Sequence, residues 1–242
     1  MQFLYGHDVL RLERHGNAIN SVAVRANQPG ATGQKDQILQ GDAIVVACGS
    51  YSAPLLRSVG VDLPIYPGKG YSATFKILKP ELAPQVSFID DSVKCAMSRL
   101  GDTLRIAGTI EVGGYDLSLD TDLARARCHM LSRRIAEILP GVCDTRTPEE
   151  GGNPQYWTGL RPATPTNIPY IGRSKINNLW LNAGHGTLGW THGAGSGQAL
   201  AELVPLDRPL QVRGEFAGQQ QAGQFGQFTV AGGKKVNPNL VA

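Results

Sequence analysis

Two stretches of this 242-residue sequence contain residues whose types and spacing could do chemistry. The first is the glycine-rich run from Gly184 to Gly197, which follows a strand-like apolar run at 179–182. A helical pattern at 198–204 comes next and stops at Pro205. We predict a strand, a glycine turn and a helix whose N-terminal end lies near 195–199. This arrangement brings backbone N–H groups to an anionic or electron-rich ligand, and glycine is needed because a Cβ would hold the ligand away.

The second stretch surrounds Arg161, which stands among Trp157, Gly159, Leu160 and Pro162. A guanidinium in such apolar surroundings needs a partner, and its planar fork suits a carboxylate held by two hydrogen bonds. The residues alone leave two interpretations open. The partner is either the carboxylate of a substrate or an acidic side chain in a structural ion pair.

The glycine run also matches the dinucleotide fingerprint Gly-x-Gly-x-x-Gly at Gly184, Gly186 and Gly189. That fingerprint opens a βαβ unit and is followed, about 20 residues on, by an acidic residue at the end of a strand. Asp207 lies near this distance but beyond Pro205 and in no strand-like run, so an NAD site at this turn is disfavoured. We favour a closing strand and helix that contact another part of a cofactor. A tight connection that needs glycine only for packing stays open.

Composition excludes several classes of protein. The chain is 41% hydrophobic and 18% charged, which is typical of a globular protein, and its net charge of +3 is too small to indicate nucleic-acid binding. The four cysteines include no Cys-x-x-Cys pair, so we expect reduced thiols, no zinc site and no other metal. No apolar run approaches the length of a membrane span, and the N-terminal residues do not resemble a signal peptide.

The predicted elements are of two kinds. The first part of the chain predicts a hairpin at 7–13 and 18–25, then a continuous apolar strand at 42–48 of the type buried on both faces of a parallel sheet. No parallel partner precedes that strand. The middle predicts antiparallel strands at 70–78, 93–100 and 103–110 and a helix capped by Asp120 or Thr121. The apolar stripe of this helix is Leu123, Met130, Leu131, Ile135, Ile138 and Leu139, and we expect Arg125, Arg127, Arg133 and Arg134 to form its solvated face.

We therefore predict a mixed α/β protein with two domains. One is discontinuous, formed by 1–63 and 155–205, and the other is an antiparallel sheet with a helix at 64–154. Residues 206–242 are rich in glutamine and glycine, and we expect them to be disordered.

Three blocks of sequence, taken in order and spacing, resemble one family over residues 1–205. They are residues 42–52, residues 64–72, and residues 156–172 continuing to 184–191. The chain is similar to the C-terminal part of bacterial FAD-dependent D-amino-acid dehydrogenases of the D-amino-acid oxidase superfamily. The resemblance implies an incomplete FAD/NAD(P)-binding-type domain and an antiparallel-sheet substrate domain. It also implies that D-amino acids are oxidised to keto acids and ammonia, with electrons passing from FAD to a respiratory acceptor at the cytoplasmic face of the inner membrane.

The resemblance also implies roles for individual residues. Arg161 would bind the substrate carboxylate, and Tyr71 would line the substrate pocket. Residues from the glycine turn would lie beside the flavin, namely Gly184, His185, Gly186, Thr187, Leu188 and Gly189. Val9 and Gly49 match positions that contact the adenosine half of FAD. We expect His185 and His192 to have no catalytic role, because hydride transfer from a neutral amine needs no protein base.

The sequence departs from the family in one respect. The N-terminal Gly-x-Gly-x-x-Gly turn that holds the FAD pyrophosphate, and the acidic residue that binds the ribose, have no counterpart here. We therefore expect a truncated form of the enzyme. The alternatives are an NAD-dependent dehydrogenase, or a non-catalytic remnant or accessory domain that cannot bind FAD alone.

Overall fold

The computed structural model describes residues 2–27, 35–204 and the backbone strand 212–214. The chain divides into two compact units, Met1–Ile65 with Pro162–Ala242 and Tyr66–Arg161, which we call the outer unit and the inserted unit. The expectation of disorder for 206–242 lies outside the described residues apart from that strand. The strands are β1 (His7–His15), β2 (Ala18–Ala26), β3 (Gln37–Gly41), β4 (Ile44–Val46), β5 (Tyr66–Lys76), β6 (Phe88–Asp90), β7 (Cys95–Leu100), β8 (Thr103–Glu111), β9 (Gln155–Ala163), β10 (Tyr170–Arg173), β11 (Leu179–Ala183) and β12 (Val212–Gly214). The helices are α1 (Ser52–Arg57), α2 (Asp122–Ile138) and α3 (Gly189–Leu203), with single turns at Gly49–Tyr51 and Pro148–Glu150.

The outer unit contains two sheets. The first has the order β1-β2-β3-β12 with antiparallel pairs, and its β1–β2 hairpin confirms the predicted one. The second has the order β10-β11-β4, in which β11 and β4 are parallel and Leu179 faces Ile44. Apolar residues of this unit form one core, which comprises Leu12, Ile19, Val46, Ala53, Leu56, Val59, Val61, Leu63, Ile65, Ile176, Leu179, Leu181 and Ala183.

The strand predicted at 42–48 needs a correction. A parallel strand is present, but it is only Ile44–Val46, and its partner β11 follows it in the chain. Val45 is 47% exposed, so the strand is not buried on both faces within the described residues. The reason is that β4 lies at the end of its three-stranded sheet, where the described part of the chain supplies a neighbour on one side only.

The inserted unit is a five-stranded sheet of order β6-β7-β8-β5-β9, with α2 packed on it. The β7–β8 hairpin around Gly101–Asp102 confirms the predicted turn. Thr121, not Asp120, caps α2, because its hydroxyl accepts a hydrogen bond of 3.1 Å from the Ala124 backbone N–H. The core of this unit comprises Tyr71, Ala73, Phe75, Ile77, Ala83, Cys95, Met97, Leu104, Ile106, Ala124, Cys128, Leu131, Ile135, Val142 and Cys143.

Two details of α2 differ from the prediction. Leu123 is 50% exposed, because the buried face of the helix begins at its neighbour Ala124 and continues through Cys128, Leu131, Ser132 and Ile135. The predicted solvated arginine face is wrong for Arg127 and Arg134, whose side chains are 27% and 28% exposed. Arg127 faces Glu111 and Arg134 pairs with Asp90, so each guanidinium turns towards a carboxylate on the sheet instead of towards water.

Candidate functional site

Arg161 lies on β9, and its guanidinium crosses to the neighbouring strands of the sheet. Its Nη1 donates a hydrogen bond of 2.6 Å to the backbone carbonyl of Thr109 on β8. A Cβ added at Gly70 on β5 would lie 2.5 Å from the Cζ of Arg161, so the guanidinium occupies the space of an absent side chain. Burial lowers the pKa of Arg161. Among the described residues of its unit it has no carboxylate partner, unlike Arg127 and Arg134, which face Glu111 and Asp90.

Tyr71 belongs to a polar cluster on the opposite face of the same sheet. Its ring is 1% exposed, and its hydroxyl donates a hydrogen bond to Glu111. Lys69 Nζ lies 5.4 Å from the ring centroid and donates to the carbonyl of Ser118 at 2.7 Å, while Arg127 lies 5.8 Å from the same centroid. Burial and the hydrogen bond to Glu111 raise the pKa of Tyr71, so the phenol stays protonated.

The two predicted substrate residues therefore lie on different faces of the sheet. Side chains alternate along a strand, so Gly70, which gives space to Arg161, and Tyr71 point to opposite faces of β5. Tyr71 faces the core shared with α2. On β9, Trp157, Gly159 and Arg161 alternate onto one face, and the Trp157 ring fills the space beside Gly159. Trp157 is 58% exposed, and Cζ of Arg105 lies 5.9 Å from the centroid of its ring.

Sequence reasoning missed Gly70 and Thr109 as partners of Arg161. A glycine on each side of Lys69 was a usable signal for close approach at Gly70, since glycine in a strand often marks a place where other atoms come near. Thr109 gave no signal, because its partner group is a backbone carbonyl that every residue has.

The glycine turn of the outer unit is compact and runs from Gly184 to Leu188. Gly184 has φ +86° and a Cβ there would lie 2.7 Å from Thr164 Cγ2, so only glycine fits. Gly186 has φ +56° with no atom within 4 Å of a Cβ position, and its N–H donates to the Pro162 carbonyl at 2.9 Å. Thr187 and Leu188 are exposed.

The helix after the turn begins earlier than predicted. α3 starts at Gly189, with Leu188 as its N-terminal cap residue, so the expected N-terminus near 195–199 is wrong. The N–H groups of its first turn consequently stand next to the tight turn. The helix includes Gly193, Gly195 and Gly197. Its buried residues are Ser196 and Leu200.

Two buried polar atoms at the turn have no hydrogen-bond partner among the residues that the structure describes. They are Oδ1 of Asn182, on β11, and Nε2 of His185. Burial, with a smaller contribution from the charge of His192, lowers the pKa of His185, which keeps its imidazole neutral at neutral pH. Buried polar groups in native proteins nearly always have partners, so these two atoms are available to bond a ligand or an ordered water.

The two residues matched to the adenosine half of FAD lie on separate elements of the outer unit. Val9 is on β1 and is 45% exposed. Gly49 begins the single helical turn after β4 and has φ +54°, which favours glycine. In the part of the chain that the structure describes, no group of His, Cys, Asp and Glu side chains could hold a metal ion. None of the helices there is long and apolar enough to cross a membrane.

These elements define a mixed α/β fold, with a parallel strand pair followed by a glycine turn and helix in one unit and an antiparallel sheet in the other. Residues 1–203 match the family described as FAD dependent oxidoreductase (DAO). The chain belongs to this family. The predicted fold class and family are thereby confirmed, and FAD is the cofactor of the family.

The relatives by sequence are named D-amino acid dehydrogenases. The protein from Dechloromonas aromatica (strain RCB) is 47% identical over 209 residues, which are 86% of this chain and 46% of that protein. The protein from Rhizobium rhizogenes is 40% identical over 204 residues, 84% of this chain and 44% of that protein. The chain therefore spans about half the length of these relatives.

Solved structures share the fold. Glycine oxidase from Geobacillus kaustophilus has a TM-score of 0.60 at 23% identity, over 81% of this chain and 47% of that one. L-proline dehydrogenase from P. horikoshii has a TM-score of 0.62 at 19% identity, over 81% of this chain and 49% of that one. At these identities the likeness establishes the fold alone.

The residues of the glycine turn fit a flavin cofactor. Gly186 has no atom of the described residues within 4 Å of its Cβ position, and the N-terminus of α3 supplies N–H groups. The unpartnered Asn182 Oδ1 and His185 Nε2 are polar groups that could bond to it. The turn therefore offers polar groups together with open space beside Gly186.

Proposed function

We propose that the chain takes part in the oxidative deamination of D-amino acids, such as D-alanine, to keto acids and ammonia. Two relatives named D-amino acid dehydrogenases, at 47% and 40% identity, support this proposal. The sequence predicted one domain that holds FAD and one that holds the substrate, and the proposal keeps this division with the bounds of the two structural units. The outer unit would hold FAD, and the inserted unit, Tyr66–Arg161, would hold the substrate, because Arg161 belongs to it.

The observation that carries the proposal is the guanidinium of Arg161. It is partly buried, has no carboxylate partner among the described residues of its unit, and makes one hydrogen bond, to the Thr109 carbonyl. A buried cation without a counter-charge is costly, so a ligand carboxylate is the expected partner. Two-point binding of the α-carboxylate would fix the orientation of the Cα–H bond.

In this reaction the substrate Cα loses a hydride and its amino nitrogen loses a proton, which leaves an imine. Water then adds to the imine carbon and ammonia leaves, giving the keto acid. FAD, when bound, supplies the two-electron acceptor. Residues Gly184, His185, Gly186, Thr187, Leu188 and Gly189 would lie beside the acceptor edge. The N–H groups of Gly186 and Leu188 already donate to Pro162 and His185, so the other N–H groups at this turn and at the start of α3 would stabilise negative charge there. Val9 and Gly49 would contact its adenosine half, and Tyr71 would support the substrate sheet from its opposite face.

The destination of the electrons is also part of the proposal. A dehydrogenase, as opposed to an oxidase, passes electrons to an acceptor other than oxygen, and we expect a respiratory acceptor at the cytoplasmic face of the bacterial inner membrane. A membrane-bound acceptor implies at least transient peripheral contact of the enzyme with that membrane.

The test combines a spectrum with one substitution. The chain is incubated with FAD and desalted, and a flavin absorbance band that bleaches with D-alanine without oxygen supports the proposal. We expect Arg161→Ala to weaken D-alanine binding about 10- to 100-fold, which corresponds to losing charge-assisted hydrogen bonds of roughly 1.5–3 kcal/mol, and to leave FAD uptake unchanged. Arg105→Ala, on the Trp157 face of the sheet, is the control. A chain that takes up no FAD and binds no D-alanine would favour the non-catalytic alternative.

A further inference from the structure

We propose that Gly70 and Thr109 are positioning residues. The bare backbone of Gly70 and the backbone carbonyl of Thr109 together hold the Arg161 guanidinium in one orientation. What the guanidinium binds rests on the proposed function above. The positioning itself rests on the geometry of three adjacent strands, β8, β5 and β9.

The first observation is an irregularity between β5 and β8. Lys69 faces Glu111 and Tyr71 faces Gly108, so two residues of β8, Thr109 and Ile110, stand opposite the single residue Gly70. This is a β-bulge, a feature that often redirects groups beside active sites. It lies directly opposite the glycine that makes room for Arg161.

The second observation is the backbone of the bulge. Thr109 has φ +55°, in the left-handed region that β-branched residues avoid. Its carbonyl accepts the 2.6 Å hydrogen bond from Arg161 Nη1, which is the one hydrogen bond that the guanidinium makes within the described residues. Among the described residues, the buried Thr109 Oγ1 has no hydrogen-bond partner. Neither the hydroxyl nor the φ angle of Thr109 therefore stabilises this backbone conformation locally. Backbone strain of this kind persists where the surrounding structure enforces it, and it clusters at functional sites.

The third observation is the space over Gly70. A Cβ there would lie 2.5 Å from both Cζ and Nη1 of Arg161 and 2.7 Å from Nη2, so the guanidinium fills the side-chain position of residue 70. The bulge carbonyl therefore holds one end of the fork and the bare backbone of Gly70 supports its flat side. The other N–H groups of the fork are left to bind a carboxylate.

The chain supplies a matched pair of substitutions to test this. In Gly70→Ala the new methyl group must displace the guanidinium, which can move because it is the end of a flexible side chain. In Gly68→Ala, on the same face of the same strand, the methyl group meets Ile110 Cδ1 at 2.5 Å and Cγ1 at 3.1 Å, and it lies 3.6 Å from the backbone oxygen of Arg161. Ile110 is 51% exposed, so its side chain has room to turn outwards. Both variants lose one glycine of β5, but only the first disturbs the fork.

The measurement uses the full chain. Nitrogen-15 spectra of the arginine side chains are recorded, with Arg161→Lys to assign the signal of Arg161. We expect that signal to shift or broaden in Gly70→Ala and to stay in place in Gly68→Ala, with both variants giving folded spectra. Calorimetric titration with D-alanine, in the presence of FAD, should show a dissociation constant at least about tenfold higher in Gly70→Ala and within about twofold in Gly68→Ala.

The outcomes separate the two ideas. An unchanged Arg161 signal in Gly70→Ala, or an equal shift in both variants, overturns the positioning role. If the signal moves in Gly70→Ala alone but Arg161→Ala binds D-alanine as well as the unsubstituted chain does, positioning stands and the proposed carboxylate role fails. If Arg161→Ala abolishes binding while Gly70→Ala leaves it unchanged, the proposed function stands and the positioning role is rejected.

Discussion

Arg161 is a cation whose burial is not offset by an acidic side chain within the described part of its unit. Arg134, by comparison, pairs with Asp90 and donates to Glu137 at 2.9 Å. The contrast bears on the two interpretations that the sequence left open, a substrate carboxylate and a structural ion pair. Since no acidic side chain of the inserted unit pairs with Arg161 among the described residues, the substrate interpretation is the one retained.

The same contrast yields a stability prediction. Replacing a buried charge that lacks a counter-ion by an apolar side chain of similar length removes a desolvation cost. We expect Arg161→Met to leave the free energy of unfolding unchanged or to raise it by up to about 1 kcal/mol. Arg134→Met should lower it, because Asp90 is then left partly buried without its partner. Urea unfolding of both variants measures the difference, and a loss above about 2 kcal/mol in Arg161→Met would indicate a structural ion pair.

Asp90 gives a prediction for pH dependence. The Arg134 guanidinium, with a further hydrogen bond from Ser92, lowers the pKa of Asp90 from 3.8 to about 2. The folded state therefore favours the charged carboxylate, and this contribution to stability is fully present above the unfolded pKa of 3.8. It is lost as the pH falls from there towards 2. We expect Asp90→Asn to melt at a lower temperature than the unsubstituted chain near neutral pH, with the difference shrinking in that acidic window.

The neighbouring residue provides the control for this experiment. Asp91 pairs with Lys94, but the two side chains are 86% and 75% exposed. Surface pairs of this kind contribute little. Asp91→Asn should therefore leave the melting temperature nearly unchanged at every pH, and an equal effect of both substitutions would contradict the assignment to the Asp90–Arg134 pair.

The elements that sequence predicted well are those set by local chemistry. The β1–β2 and β7–β8 hairpins follow from alternating apolar residues around turn residues, and α2 follows from its cap and apolar spacing. The start of α3 was predicted about two turns too late. Glycine destabilises a helix by about 1 kcal/mol relative to alanine, so Gly193, Gly195 and Gly197 predicted a turn at positions where the helix has already begun. The helix forms through them because Ser196 and Leu200 are buried on its inner side.

The bulge in β8 was beyond sequence reasoning for a related reason. Thr109 and Ile110 have high strand propensity, and nothing in their side chains predicts the left-handed backbone at Thr109. The need of Arg161 for a partner was predictable from residue types. The groups that support Arg161 were not predictable. They are a backbone carbonyl, which every residue has, and the space left by an absent Cβ, and neither is recognisable from residue types.

The N-terminus of α2 provides a prediction about a single helix. The sequence offered Asp120 or Thr121 as the cap, and the Thr121 hydroxyl is the group that accepts from the Ala124 N–H. We expect Thr121→Ala to lower the free energy of unfolding by about 1 kcal/mol, since an N–H group of the first turn loses its partner. Asp120→Ala should cost less, and chemical denaturation followed by circular dichroism would rank them. A larger loss of unfolding free energy in Asp120→Ala would show that Thr121 is not the residue that caps the helix.

The two units differ in how the chain builds them. The inserted unit is continuous in sequence, and its sheet, helix and core all come from Tyr66–Arg161. The outer unit is discontinuous, since β4 pairs with β11 and the core combines residues up to Ile65 with residues from Ile176 onwards. A domain that carries its own complete core can fold alone.

That difference predicts how fragments behave. We expect a fragment of residues 66–161 to fold, with cooperative urea unfolding and dispersed amide signals. A fragment of residues 1–65 retains the β1–β2 hairpin but lacks β11, so it should fail to order β4 and to unfold cooperatively. Cooperative folding of 1–65 with failure of 66–161 would be the opposite of what the two cores imply.

The parallel pairing of Ile44 with Leu179 has a consequence for kinetics. Its two strands are separated in the chain by all of Tyr66–Arg161, so they meet only after a very long loop has closed. Collapse of the intervening segment draws its ends together and reduces the entropy lost on closure. Renaturation should then proceed in order, with the interior segment maturing first and the β4–β11 pair forming last. Nascent chains leaving a ribosome would face the same constraint, because β4 must wait, unpaired, until Leu179 has been synthesised.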